Sequence, residues 1–162
     1  MLNRKEVTVL KKVVKEITGK KVNRNFWVED DEGYTCFGMN YFFLRLRTEN
    51  IPQDLNIPIS LKKEEMLEPI NQIIKADYTE AEDTGLIEKS GKDLLKIIDR
   101  RPNEEDPSYL YLNNKFDFGL EDYIISVESS DLKDYPVTLY EKGGLQIYVL
   151  AIRKGEKNKF LK

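Results

Sequence analysis

Residues 26–47 read FWVEDDEGYTCFGMNYFFLRLR, and this stretch decides the fold class. Aromatic and β-branched side chains are dense on both sides of the acidic, glycine-ended turn at 30–33. Residues 39–40 fit a second turn, and two leucines alternate with two arginines over 44–47. The stretch therefore predicts a β-meander of three short strands, at 26–28, 34–38 and 41–47.

The segment before this meander predicts an amphipathic helix. Apolar residues recur at three- and four-residue spacing between Arg4 and Ile17. At about 100° per residue, the basic side chains fall together on the opposite arc. The candidate nucleic-acid-binding residues are the cations on this arc and just beyond it: Arg4, Lys11, Lys12, Lys15, Lys20 and Lys21.

The rest of the chain alternates between strand and helix patterns. Residues 57–61 predict a strand, and 62–75 predict a helix that Pro69 either kinks or forces to start near residue 68. Residues 76–108 are the least regular part of the chain, which indicates an insertion or a mobile segment. Residues 116–125 fit a helix, although the sequence also allows a strand that begins at 124.

A terminal hairpin completes the pattern. Strands are predicted at 137–140 and 145–152, joined by a tight turn containing Gly143 and Gly144. The length of 162 residues favours one domain, 1–162. We therefore expect an α+β protein with antiparallel sheets and two or three helices on one face.

The chain contains no histidine, which removes histidine-based acid–base catalysis, Ser–His–Asp triads and histidine-ligated metals. Cys36 is the single cysteine, and its place in a predicted strand indicates a buried, inert thiol. Gly143-Gly144 lacks the lysine and the helix that follow a phosphate-binding loop. The sequence therefore predicts a protein that is not an enzyme and that uses no cofactor or metal.

Net charge and hydropathy limit the classes of partner that this chain is expected to bind. With 26 basic and 29 acidic residues the formal net charge is −3, which argues against a dedicated basic nucleic-acid binder but allows a local basic face. We find no signal-peptide core and no apolar run of membrane-spanning length. The lone cysteine suits a reducing compartment, so we expect a cytoplasmic protein without membrane contact.

Three groups of residues allow both an ordinary and a functional interpretation. The basic arc is either a solvated helix face or a phosphate-contacting surface. The acidic runs at 29–32 and 77–83 favour solvated turns over a site for a hard cation or a hydrolytic carboxylate pair. The aromatic residues favour core packing over a base-stacking platform: Phe26, Trp27, Tyr34, Phe37, Tyr41, Phe42 and Phe43.

Three stretches resemble a domain of the bacterial DNA polymerase sliding clamp. In residues 31–44, Gly38-Met39-Asn40 stands where the family has an Asp-Gly-x-Arg corner, without its Asp and Arg. Residues 57–61 are similar to the strand that leads into the second clamp helix. Residues 136–153 are similar to the terminal strand pair, with Ala151 in place of the family's proline. Clamp subunits have three such domains, whereas this chain has room for little more than one.

The resemblance implies a non-enzymatic, DNA-clamp-like binding module whose helices face double-stranded DNA. The basic first helix would contact phosphates, because lysine is a compact charge that neutralises phosphate without reading sequence. Self-association into a homo-oligomer and contact with replication or other proteins are implied as well.

Two other functions stay open on the residues alone. The first is a protein-interaction or inhibitor module, of phage or mobile-element type, that makes no DNA contact; the acidic net charge favours it slightly. The second and less favoured is a carboxylate- and metal-dependent hydrolase, which no residue spacing supports.

Overall fold

The computed structural model describes residues 2–19, 25–39, 42–106, 108–114, 122–129 and 136–152. Neither helix in these ranges has the length and apolar character needed to cross a lipid bilayer. The elements in chain order are α1 Arg4–Gly19, β1 Phe26–Glu29, β2 Tyr34–Gly38, β3 Phe42–Arg47, α2 Leu67–Ile74, β4 Tyr78–Glu80, β5 Glu82–Ser90, β6 Asp93–Asp99, β7 Tyr109–Asn113, β8 Ile124–Glu128, β9 Val137–Lys142 and β10 Leu145–Leu150.

Two antiparallel sheets organise these strands. The main sheet has seven strands in the order β1-β2-β3-β10-β9-β8-β4, and the second sheet has three in the order β5-β6-β7. Every pair of neighbouring strands is antiparallel. The predicted α+β class with antiparallel sheets is therefore confirmed, as are the β1–β3 meander and the β9–β10 hairpin.

The centre of the main sheet brings together a strand from the first third of the chain and a strand near its end. β3 pairs with β10, so that Leu44 lies opposite Ile147 and Phe43 lies opposite Tyr148. Successive side chains of a strand point to opposite faces, and here both faces are buried: Leu44 and Phe43 are 0% and 6% exposed. The sheet therefore needs a cover on each side.

The two described helices lie on opposite faces of the main sheet, whereas we expected the helices on one face. α1 packs Val13 and Ile17 into the cluster that contains Leu44 and Ile147. α2 packs Ile70 into the cluster that contains Phe43, Cys36 and Tyr148. The reason is that the side chains on both faces of β3 and β10 are buried, so each face needs a cover. Sequence periodicity does not indicate which helix covers which face.

The second sheet shares the α1 side of the main sheet. Ile98 of β6 and Leu110 and Leu112 of β7 belong to the same buried cluster as α1. The backbone N–H of Ile152 donates to the Tyr111 carbonyl at 2.9 Å, which ties the chain beyond β10 to β7. Residues 76–108 were expected to be an insertion or a mobile segment. Their described part contributes β4 to the main sheet and forms the β5–β6 hairpin.

Three local expectations change. Residues 57–61 contain a 3-10 turn at Ile59–Leu61 and no strand. Pro58 has no N–H to donate to a sheet, and the backbone hydrogen bond to β1 comes from the N–H of Lys63, which donates to the Trp27 carbonyl at 3.0 Å. α2 starts at Leu67, so Pro69 lies in its first turn, where a missing N–H costs nothing.

Residues 124–128 form β8, so the strand alternative holds there; 116–121 lie outside the described residues.

A single buried carboxylate fixes α1 to the β9–β10 turn. Asn3 and Glu6 form a reciprocal capping pair, in which each side chain accepts the backbone N–H of the other residue, at 2.8 and 2.9 Å. The second oxygen of Glu6 accepts the N–H of Gly144 at 2.9 Å. Glu6 is 5% exposed, so the start of the helix is held against the hairpin by a satisfied buried charge.

We expect Gly143→Ala to destabilise the fold by about 1–3 kcal/mol, because Gly143 has φ +56° and an added Cβ would lie 2.5 Å from Oε2 of Glu6. Gly91→Ala is the matched control, because Gly91 has φ +61° but an open surrounding. Urea unfolding of both variants measures the difference. An equal loss in the two would contradict the contact with Glu6.

Candidate nucleic-acid interface

The outward side of α1 carries five exposed cations, which we call the basic face: Arg4, Lys5, Lys11, Lys12 and Lys15. At 1.5 Å rise per residue, the stretch from Arg4 to Lys15 is about 16 Å long. The two acidic residues of the helix are Glu6, which is buried, and Glu16, which is partly buried at the edge. The predicted arc is therefore continuous and solvent-facing.

Two carboxylates flank the basic face, one on each side. Lys5 Nζ lies 2.8 Å from Asp122, which also pairs with Lys142 at the β9–β10 turn. These hydrogen bonds to Lys142 and Lys5 hold the pKa of the Asp122 carboxyl well below its usual range. On the other side, Lys11 Nζ lies 3.7 Å from Asp54. All these groups are exposed, so each pair contributes little stability and can open to another anion.

Four of the six predicted residues lie together on the basic face. Arg4, Lys12 and Lys15 make no ion pair with any residue that the structure describes, whereas Lys11 has Asp54 as a neighbour. Lys20 and Lys21 lie outside the described residues. Sequence reasoning missed Lys5, although its position at 100° from Arg4 on a helical wheel places it at the margin of the same arc.

The opposite side of the molecule carries charges of both signs. Glu64, Glu65 and Glu68 are exposed on and just before α2, Lys62 and Lys63 directly precede them, and Lys75 follows the helix. Lys62 Nζ lies 3.5 Å from Glu64. α1 and α2 cover opposite faces of the main sheet. The exposed cations are therefore concentrated on the basic face, whereas lysines and carboxylates are mixed around α2.

The acidic run at 29–32 has a structural role through Asp30. Arg45 of β3 donates through Nε and Nη2 to Asp30 Oδ2 at 3.2 and 3.1 Å, and both side chains are almost fully buried. Asp30 Oδ1 accepts the backbone N–H groups of Glu32 and Tyr34. The solvated-turn interpretation is thus wrong for Asp30, because its partner comes from another strand.

The aromatic residues mostly build the core, as predicted. Phe26, Phe37, Phe42 and Phe43 are buried, and Tyr41 lies outside the described residues. The partly exposed Tyr34 and Trp27 have cations above their rings, at 3.7 Å from Arg45 and 5.2 Å from Lys62. Tyr34 belongs to the α2 side and Trp27 packs on the α1 side, so the two rings do not form one stacking platform.

Other chemistry has little support in the described ranges. No group of three or more acidic or cysteine side chains converges on a position for a metal ion there. Cys36 is fully buried, as predicted. Burial is the main cause that raises the pKa of its thiol to about 12; the nearby Asp30 adds to the rise and Arg45 opposes it.

We expect Cys36 to resist an aromatic disulfide reagent at pH 8 unless the protein opens. Its folded pKa lies above the unfolded one, so the neutral buried thiol contributes stability below about pH 9, which is lost as the pH rises towards 12. Absorbance of the released thiolate should show labelling far slower than in denaturant. Comparable rates with and without denaturant would contradict the burial of this thiol.

Comparison with protein-family models, curated proteins and solved structures finds no match to this chain.

Proposed function

We propose that this protein is a non-enzymatic, DNA-clamp-like binding module that contacts the phosphates of double-stranded DNA through the basic face of α1. The observation that carries the proposal is the concentration of five exposed cations on the outward side of one helix, which has no exposed carboxylate of its own. The resemblance to the sliding clamp supports the same function by analogy.

The dimensions of the basic face suit a polyanion. Duplex DNA carries about one negative charge per 1.7 Å of axis, so a helix face about 16 Å long meets several phosphates at once. Four of the five cations are lysines, which neutralise charge without the bidentate geometry that reads a guanine. We therefore expect affinity without sequence preference.

The concentration of cations on one helix favours one orientation of binding. The basic face attracts a phosphate backbone, whereas the mixed charges around α2 do not, so the duplex would approach from the α1 side. Lys5 and Lys11 would exchange Asp122 and Asp54 for phosphates, and these exposed pairs cost little to open.

Neutralising three lysines of the basic face should weaken DNA binding and its dependence on salt. For the triple variant Lys11→Gln, Lys12→Gln, Lys15→Gln, the slope of log K against log salt should become less steep by about 2 to 3 units, because each phosphate contact contributes about 0.9. Fluorescence anisotropy of a labelled 20-base-pair duplex of random sequence, titrated between low and physiological salt, measures the slope.

The control has the same charge change elsewhere on the surface. Lys75→Gln, Lys89→Gln, Lys92→Gln removes three exposed lysines from α2 and the β5–β6 hairpin. It should keep the wild-type slope. If both triple variants change the slope equally, the effect is one of net charge and the assigned face is incorrect. An absence of affinity at low salt would refute DNA binding altogether.

Ring formation is a separate part of the clamp analogy and stays a prediction. A ring requires copies of the chain to join by a closed symmetry, so light scattering should show one discrete multimer over a wide concentration range, at low and high salt. A monomer throughout would remove the self-assembled ring. Binding by a single module would then be the remaining form of the proposal.

A further inference from the structure

β7 lies at the edge of the second sheet, and the chain beyond β10 meets that edge. The sheet order is β5-β6-β7, so one side of β7 pairs with β6 and the other side faces outward. On the outward side the N–H of Ile152 donates to the Tyr111 carbonyl at 2.9 Å, in an antiparallel bridge. This bridge is the first pair between β7 and the residues that follow β10.

The bridge fixes the direction and the register of any continuation. Because the bridge is antiparallel, residues after Ile152 would run from the middle of β7 towards its first residue, Tyr109. In this register Arg153 stands opposite Leu110, and Lys154 stands opposite Tyr109. Tyr109 is 51% exposed, so its ring is open to a cation on a neighbouring strand. The next hydrogen-bonded pair would therefore be Tyr109 with Lys154.

The loop between β6 and β7 stands at the end of β7 towards which this register points. The N–H of Arg100 donates to the Ser108 carbonyl at 2.7 Å, which closes the loop. Three exposed carboxylates make it what we call the acidic loop: Glu104, Glu105 and Asp106. Glu104 has an arginine of the same loop at 3.8 Å, whereas the other two make no ion pair with any residue in the described ranges. Two carboxylates are therefore open to cations that arrive along β7.

The segment that follows Ile152, which lies outside the described residues, has the complementary charge. Residues 153–162 read RKGEKNKFLK, with five cations and one carboxylate. At about 3.3 Å per residue, Lys157 of an extended chain would lie about 10 Å beyond Lys154, past the start of β7 and beside the acidic loop. Opposite charges on neighbouring segments attract each other. Charge and reach therefore both favour this loop as the place where the segment docks.

We propose that residues 153–159 form a strap on the second sheet. Its first two residues continue the pairing along β7, and its later lysines, Lys157 and Lys159, bind the acidic loop. The strap covers the outward edge of β7, which would otherwise be able to pair with a strand of another chain. The inference does not depend on DNA binding, because it uses no residue of the basic face.

The chemistry of the strap makes it sensitive to salt. Glu105 and Asp106 are exposed, so their pairs with lysine are individually weak and are screened by ions. The backbone pairing is short as well, because β7 has only two residues before the bridge at Tyr111. We therefore expect the strap to close at low ionic strength and to open at high ionic strength, which would expose the edge of β7.

Amide hydrogen exchange of the full chain, followed by NMR at low salt, tests the strap. The Lys154 N–H should exchange at least about ten-fold more slowly than in an unstructured peptide, because it donates to the Tyr109 carbonyl. The Arg153 N–H should exchange without protection, because in this register it points away from β7. A nuclear Overhauser contact should join the Hα atoms of Arg153 and Leu110, since the Cα atoms of a non-hydrogen-bonded pair lie about 4.5 Å apart. Raising the salt to about 0.5 M should remove the protection of Lys154.

Charge reversals show which groups hold the strap. Two double variants should each lower the protection of the Lys154 amide about ten-fold, and their combination should restore it, because the charges then attract again. The variants are Glu105→Lys, Asp106→Lys in the acidic loop and Lys157→Glu, Lys159→Glu in the strap. Thermal unfolding checks that each variant folds.

The matched control reverses two exposed carboxylates on and just before α2, Glu65→Lys and Glu68→Lys, and should leave the Lys154 amide protected. Three results would each overturn the inference. Equal exchange of the Arg153 and Lys154 amides would show that pairing along β7 ends at Ile152. An equal effect of the control would show a response to net charge alone. A combined variant without restored protection would show that the strap and the acidic loop do not meet.

Discussion

The pairing of β3 with β10 is the constraint on which the rest of this structure depends. It joins the meander near the start of the chain to the hairpin near its end, and it places Leu44 against Ile147 and Phe43 against Tyr148 in one register. A shift by one residue would exchange the faces of both side-chain sets. Because both faces are apolar at this centre, α1 and the second sheet cover one side, and α2 covers the other.

The position of α1 follows from this centre through few but specific contacts. Its apolar side packs on β3 and β10, and Glu6 ties its first turn to the β9–β10 turn through the N–H of Gly144. The helix therefore cannot rotate about its axis without removing a buried carboxylate from its donors, which costs several kcal/mol. As a result the cations of the basic face point away from the sheet. The proposed contact with a phosphate backbone would require this orientation.

The distribution of charge separates two kinds of surface across the sheet. On the α1 side, the ion pairs of Lys5 and Lys11 join exposed side chains, so a polyanion can replace Asp122 and Asp54 at low cost. On the α2 side, the ion pair between Arg45 and Asp30 is buried and stabilises the β1–β2 turn.

The sequence by itself determined the local elements, because these follow from neighbours a few residues apart. The 3.6-residue period of α1, the alternation in β3 and the glycine pair at 143–144 each identify their element correctly. Four members of the basic face are also evident from the same period. Fold class follows from the order of these elements.

Only the tertiary structure decided which face each helix covers and which charges are paired. Lys5 and Asp122 are 117 positions apart, and Arg45 and Gln146 are 101 apart, so no local pattern indicates that they meet. Asp30 was expected in water because its own segment is a polar turn, yet Arg45 from β3 buries it. Sequence periodicity gives the apolar side of an element, whereas its partner is set by long-range packing.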